Sequence, residues 1–455
     1  VEKLAKGNKS CPVVASGRIR GANERINVAV VGIRSRGGSH IKELGVVAGV
    51  NIKTIVDIDE NLLSGALKRV KQTQPESDCV GEYDFRRVLD DKDVDAVSLA
   101  TPNHWHALQT IWACQAGKDV YCEKPASHNV VEGRSMIKAA RKYGRVVQIG
   151  FQSRSNTNVK KAIDFLHSGG IGDIYLGRGL CFKPRNAFPI YADGAMEAGQ
   201  EYKLGRDKYC YDEEYLKRVH YDQWIGPAPA KPFNANRFHY NWHWQWEYGC
   251  GDIGNQGPHQ CDIGRWGMGF SGHPKKINSV GGYFAFADCP QTTPNSQTAV
   301  FEYDDGRIFE FEVRGVYTND EASVRIGNLF FGSKGWMQLT MDGKWKTYFG
   351  RKNEPGPGSE SADGGADALN LSGSGGQGHF ENFVKSIRSR KVEELNCDVE
   401  SGHISTCMAH LANVSYRVGR ELHFDGNLET FVNSKEANSL LTRQYRKPYV
   451  VGLEV

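Results

Sequence analysis

The run Ile26-Asn27-Val28-Ala29-Val30-Val31-Gly32, continued by Ile33-Arg34-Ser35-Arg36-Gly37-Gly38, decides the fold. Its first half is short, apolar and β-branched, as a strand buried on both faces of a parallel sheet must be. It ends on glycine, and residues 39–47 then have helical character. Strand, glycine turn and helix in that order put backbone N–H groups and a helix N-terminus where a pyrophosphate can meet them. Gly32 and Gly37 stand where the first and last glycines of G-x-G-x-x-G would stand, with Ser35 inside the turn. Arg34 replaces the middle glycine, the one that normally admits the phosphates most closely. Arg34 or Arg36 can instead offer a guanidinium to a phosphate oxygen. The competing reading is a plain strand–helix turn.

The flanking sequence favours the dinucleotide reading. Val50–Val56 is a second strand, and Asp57 closes it. An acid there accepts both ribose hydroxyls and repels a 2′-phosphate, which favours NAD over NADP, although the two arginines pull mildly the other way. Leu62–Lys71 reads as a helix, Asp95–Ala100 as a buried strand, and His106–Ala116 as a helix. Asp119–Cys122 is a short strand before Glu123-Lys124-Pro125. Val131–Tyr143 is an amphipathic helix and Arg145–Gly150 a strand. This alternation predicts βαβ units and a parallel sheet over residues 26–150. Residues 1–25 are polar and aperiodic, and read as an arm. The chain starts with Val. A removed export signal and a boundary set by expression both fit that start.

Beyond residue 155 the texture changes. Val159–His167 reads as a helix, and an aromatic-rich region with little periodicity follows to about residue 247. Strands are expected at Ile277–Phe286, Thr298–Tyr303, Arg307–Val316, Ile326–Phe331, Trp336–Thr340 and Lys344–Phe349. Asp304-Asp305-Gly306 and Asp342-Gly343 are hairpin signals. Residues 353–377, rich in Gly, Ser, Asp and Pro, read as a loop, and helices are expected at 379–389 and 402–419. The fold class is therefore an α/β Rossmann domain followed, over 151–455, by an α+β domain. That second domain is built on a large, mostly antiparallel open sheet, for substrate binding and oligomerisation.

Bulk properties exclude several functions. Lys plus Arg is 57 against 53 for Asp plus Glu, a net charge of +4, too balanced for a nucleic-acid partner. No apolar stretch is long enough to span a bilayer. The 11 cysteines are odd in number and none forms a C-x-x-C pair. They read as scattered core thiols rather than a disulfide framework, with one or two bridges still open.

Glu123-Lys124-Pro125, downstream of Thr101-Pro102-Asn103-His104-Trp105-His106, carries a resemblance. With GNQGPHQCDIGRW (254–266), GSKGWM (332–337) and GHFENFVKSI (378–387), these motifs resemble the Gfo/Idh/MocA oxidoreductases over about residues 26–440. The stretch Tyr240–Trp266 looks most like exported members from Bacteroidetes and Planctomycetes-type genomes. That points to the periplasm, with the cytoplasm as the alternative. The resemblance implies NAD as cofactor, with NADP less favoured. Thr101, Asn103, His106 and Glu123 would join the glycine turn and Asp57 in holding it. Lys124 would lie near the nicotinamide and polarise the reacting hydroxyl. Pro125 would fix the turn, often through a cis bond. His259 would be the general base. The family's aspartate falls on Asn255, which can bond a sugar hydroxyl but cannot raise an imidazole pKa. Asp252 and Asp262 are the candidates to substitute, Asp262 lying i+3 from His259.

Gln152, Arg154, Tyr240, Trp242, His243 and Asn255 are the remaining candidates for substrate contact. In a strand, Trp242, Trp244 and Trp246 would share a face, suited to the C–H face of a pyranose or, equally, to packing between domains. Lys183, Arg185 and Arg154 would favour an acidic sugar or simply lie at the surface. His239, His243 and His259 lack metal-ligand spacing, so no metal is expected. The leading function is an NAD-dependent dehydrogenase taking hydride from a secondary hydroxyl of a sugar, glycoside or polyol. An NAD-dependent glycosidase is the first alternative: it oxidises C3 transiently and needs a further base such as Tyr191, Tyr240 or Tyr248. A sugar-binding protein without turnover is the second. A homodimer or homotetramer is expected through the open sheet.

Overall fold

The computed structural model describes residues 25–204, 207–359, 376–452 and 455. The expected arm lies outside the described residues apart from Arg25, as do residues 360–375 of the expected 353–377 loop, whose start instead forms the edge strand Glu354–Gly358 and whose last two residues open a helix. The first sheet has strands β1 (Ile26–Val31), β2 (Val50–Val56), β3 (Val80–Glu82), β4 (Ala96–Leu99), β5 (Asp119–Cys122) and β6 (Val147–Ile149), in the order β3-β2-β1-β4-β5-β6. Every pairing is parallel. Helices α1 (Arg36–Gly45), α2 (Leu63–Thr73), α3 (Phe85–Asp90), α4 (Asn103–Gln115) and α5 (Val130–Lys142) connect the strands. All of β1 except Asn27 is buried, because helices cover both faces.

After α6 (Thr157–His167) comes β7 (Ile174–Phe182), then the small hairpin β8 (Tyr202–Leu204) and β9 (Asp207–Tyr209). Short helices α7 (Glu213–Leu216), α8 (Tyr221–Ile225) and α9 (Gly251–Asn255) lead into α10 (Gly257–Gly267). The second sheet continues through β10 (Lys276–Gly282), β11 (Ser296–Glu302), β12 (Ile308–Arg314), β13 (Ile326–Gly332), β14 (Gly335–Thr340), β15 (Trp345–Phe349) and β16 (Glu354–Gly358). Helices α11 (Gly376–Ser389) and α12 (Val399–Val418), strands β17 (Leu422–Asp425) and β18 (Thr430–Phe431), and α13 (Lys435–Ser439) complete the chain. The large sheet has ten strands in the order β16-β15-β14-β13-β7-β12-β11-β10-β17-β18. Its pairings are antiparallel except β7 with β12. Both expected hairpins form, with Gly306 at φ 80° and Gly343 at φ 89°.

The central strand β7 was not expected from sequence, because only Ile174 in it is β-branched and Gly177 and Gly179 interrupt it. The structure gives the reason. A Cβ at Gly177 would lie 2.6 Å from Met268 Sδ, and one at Gly179 would lie 2.9 Å from Gln260 Cβ. The two glycines let α10, which carries His259, lie directly on the strand.

The two parts share their cores. Phe380, Phe383, Val384 and Ile387 of α11 pack with Val28 and Val30 of the first sheet and with Leu44 of α1. Helix α12 starts in the Rossmann core at Val399 and continues into the core of the large sheet at Met408 and Leu411. The ten described cysteines are free thiols. Among the described residues no helix is long and apolar enough to cross a membrane.

Candidate active site

A cleft of about 280 Å³ lies where the C-terminal ends of β1, β2, β4, β5 and β6 face α9, α10 and residues 239–243. This is where an open parallel sheet binds its ligands. The residues singled out from sequence for cofactor or substrate line it, except Gly37, Arg154, Arg185, Trp244, Trp246, Tyr191 and Tyr248. Lys183 lines it as well.

The glycine turn is set by contact distances. Gly32 has φ 77°, and a Cβ there would sit 2.7 Å from the Ala100 carbonyl oxygen. A Cβ at Gly37 would come within 1.6 Å of the Gly32 carbonyl oxygen, so Gly37 acts by letting α1 start against the turn. Ser35 lies between them at φ 42°. The two arginines differ. The Arg34 guanidinium stacks 4.2 Å above the Tyr209 ring, and its Nη1 is buried without a hydrogen-bond partner. Arg36 is already engaged: its Nε donates to Glu123 Oε1 at 2.7 Å and its Nη1 to Glu43 at 3.3 Å. Asp57 accepts from the backbone N–H of Ile33 at 3.1 Å and of Asp59 at 3.0 Å. Burial pushes its pKa up to about 6. The positive-φ glycine, the orphaned Arg34 nitrogen and the strand-end carboxylate fit the phosphates and ribose of a dinucleotide.

Glu123 organises the next turn. Its Oε1 accepts from Arg36, from His40 at 3.0 Å and from Gln152 at 2.7 Å. Burial alone would raise its pKa, but Arg36 and His40 hold it well below the ordinary carboxylate range. The Lys124–Pro125 peptide is cis. His106 spans the turn, its ring nitrogens 2.7 Å from the Pro125 and Thr101 carbonyl oxygens. That leaves it little capacity for a ligand. Lys124 Nζ donates to the Asn255 carbonyl at 2.5 Å. Burial lowers the Lys124 pKa to about 8, opposed by Glu123.

His259 stands in the first turn of α10. Both its ring nitrogens are buried and unpartnered. Burial, reinforced by the Lys124 charge, brings its pKa down to about 3, so the imidazole is neutral. Neither nearby acid pairs with it. Asp252 accepts from Arg185 Nε at 2.9 Å. Asp262 accepts two bonds from Arg154 at 2.8 Å and one from Ser405 at 2.6 Å.

These distances correct several expectations. Arg154 does not face the cleft, because Asp262 holds it. Arg185 is likewise consumed by Asp252 and stacks 4.2 Å above Trp244. The tryptophan segment is not a strand: Asn241–Trp244 is a 3-10 turn. With no neighbouring strand to pair with, the segment closes on itself. The Trp242 indole donates to the His239 carbonyl at 3.0 Å. Trp242 stacks on His243 at 3.6 Å and lines the cleft, while Trp244 is buried behind it. Trp246 instead packs under Arg417. Sequence reasoning missed Tyr209 against Arg34 and His239 against Asp59, since both lie in the aperiodic region where no pattern marks them.

A family model described as an oxidoreductase family NAD-binding Rossmann fold matches residues 26–151. A second, the C-terminal alpha/beta domain of the same oxidoreductase family, matches residues 197–279 and 374–451. A levoglucosan dehydrogenase of Pseudarthrobacter phenanthrenivorans is 32% identical over 164 residues, 34% of this chain and 42% of that protein. A glycosyl hydrolase family 109 protein of Saccharopolyspora erythraea is 30% identical over 162 residues, 35% of each. The match thus spans less than half the length of these curated relatives. Among solved structures, the WlbA dehydrogenase of Bordetella pertussis, in complex with NADH and UDP-GlcNAcA, superposes with a TM-score of 0.62 at 18% identity, over 89% of this chain and 99% of that one. At that identity the likeness is one of fold.

Proposed function

The chain belongs to the Gfo/Idh/MocA oxidoreductase family, and from that premise we propose that it is an NAD-dependent dehydrogenase acting on a secondary hydroxyl of a sugar or related polyol. One observation carries the reading. Lys124 and His259, 135 positions apart in the chain, line one cleft with the glycine turn and Asp57. Bound there, NAD supplies the hydride acceptor. Asp57 would take the ribose hydroxyls, and Arg34 would serve the phosphates in place of the missing glycine. Lys124, held by the Asn255 carbonyl, stabilises the negative charge that grows on the substrate oxygen. His259 is neutral, with both nitrogens free of protein partners, the state a proton acceptor needs. The charge of Lys124 weakens it as a base, and the forming alkoxide between the two offsets that charge. Trp242, stacked on His243, lines the cleft together with Asn255, and the two polar side chains can bond sugar hydroxyls. Relatives and neighbours named for levoglucosan and for a nucleotide sugar support a carbohydrate substrate.

A second reading, net hydrolysis of a glycoside through transient oxidation, has two observations in its favour. Of Tyr191, Tyr240 and Tyr248, only Tyr240 lines the cleft, and one relative carries a glycosyl hydrolase name. The test is incubation with a panel of free sugars and aryl glycosides. Cofactor reduction with stoichiometric ketone supports the dehydrogenase, and aglycone release without reduced cofactor supports the hydrolase. Neither product, despite NAD binding, overturns both.

A further inference from the structure

Away from the cleft, four side chains from three parts of the chain converge. His403 and Cys407 lie one turn apart on the same face of α12. His273 comes from the connection between α10 and β10. Glu429 comes from the hairpin between β17 and β18, where its φ of 51° turns the side chain inward. Glu429 Oε1 lies 2.7 Å from His403 Nε2 and 3.0 Å from His273 Nε2. Cys407 Sγ lies against the His403 ring, 3.5 Å from each of its nitrogens. Donor atoms of His273, His403 and Cys407 all fall within 4.8 Å of one another. His403 and Cys407 are fully buried, and the side chains of His273 and Glu429 are 4% and 9% exposed. None of the four lines the cleft.

We propose that this cluster is a structural zinc site formed by His273, His403, Cys407 and Glu429. Zinc bonds of about 2.1 Å to nitrogen or oxygen and about 2.3 Å to sulfur give tetrahedral edges of roughly 3.3–3.7 Å. The Cys407–His403 spacing matches such an edge, while Glu429 Oε1 sits at hydrogen-bond distance from both imidazoles and would draw back by roughly 0.3–0.6 Å on binding. Two imidazoles, a thiolate and a carboxylate are a borderline donor set that suits Zn²⁺ over hard cations. Binding breaks the Cys407 S–H bond, forms S–Zn and releases one proton to solvent. Arg134 grips both carboxylate oxygens, its Nε 2.9 Å from Glu429 Oε2 and its Nη2 2.5 Å from Oε1. That is the outer hydrogen bonding that orients metal ligands. Four protein donors leave no open position, so the ion ties the C-terminal hairpin and the 271–275 connection to α12 and takes no part in the reaction.

Without an ion the same residues form a hydrogen-bond hub, Glu429 accepting from both imidazoles and Arg134, with Cys407 a neutral thiol. Elemental mass spectrometry and cobalt(II) substitution of the full chain separate the two. The zinc site requires about one zinc per chain after loading and dialysis. It also requires a thiolate-to-cobalt charge-transfer band with tetrahedral d–d absorption. Zinc content should fall about tenfold or more in both Cys407→Ser and His273→Gln, and chelation should lower the Tm of the wild type. A loaded wild type with no stoichiometric metal, a cobalt spectrum without a thiolate band, or unchanged zinc in both variants would overturn it. The wild-type cobalt spectrum decides even if a variant fails to fold.

Discussion

At the residue scale the charge of Lys124 is the critical quantity. Its pKa is lowered to about 8, so the cation is present below that pH and lost above it. His259 stays neutral down to about 3. The log of kcat/KM for oxidation should therefore fall as pH rises through about 8, and should fall again below about 6, where Asp57 becomes protonated. A profile that instead rises through pH 8 would make Lys124 the proton acceptor. Lys124→Met and His259→Ala should each lower kcat by roughly 10²–10⁴-fold while NAD binding, followed by fluorescence, persists. Arg154 belongs to stability instead. Its pair with Asp262 is buried, so Arg154→Ala should cost about 3–5 kcal/mol in urea denaturation by stranding the carboxylate. The KM for the sugar should stay unchanged. Lys124 and His259 were legible because short motifs mark them. The fate of Arg154, Asp252 and Asp262 was not, because which acid meets which arginine depends on side chains brought together from more than 60 positions apart.

At the element scale the β1–α1 unit carries the cofactor argument. Gly37→Ala puts a methyl against the Gly32 carbonyl, so α1 must shift. NAD affinity should fall by about tenfold or more in calorimetric titration, since the pyrophosphate meets this helix start. Gly38 is the control: a Cβ there meets nothing closer than 3.6 Å. Gly38→Ala should leave binding intact and stabilise the fold by about 0.5–1 kcal/mol. The β1 run was readable because a strand buried on both faces needs an unbroken apolar sequence. β7 was not, although it sits in the middle of its sheet. Its glycines answer to a helix lying across them, and strand periodicity holds no record of a neighbouring helix.

At the scale of the whole molecule, residues 207–243 close over the nucleotide end of the cleft. Asp59, fully buried just past Asp57, accepts from Tyr215 Oη at 2.7 Å and His239 Nε2 at 2.9 Å. His220 adds a bond to Glu60 at 2.7 Å and stacks on Tyr83 at 3.8 Å. This clasp joins the aperiodic region to the Rossmann edge. Asp59→Ala should speed NAD release in stopped-flow chase by about tenfold or more, since hydrogen bonds to a charged group contribute about 1.5–3 kcal/mol each. An unchanged release rate would mean the clasp is not a barrier to the cofactor. The sequence by itself determined the parallel sheet, the glycine turn, the strand-end acid and the lysine and histidine candidates. Each is a local pattern imposed by backbone geometry or carried by a short motif. The tertiary structure alone decided which charges neutralise one another, that β7 is central, that Trp242 faces the cleft while Trp244 does not, and that Asp59 anchors a clasp. Those outcomes rest on packing between segments far apart in the chain, and no spacing along the sequence encodes the distance between two side chains that meet only when it folds.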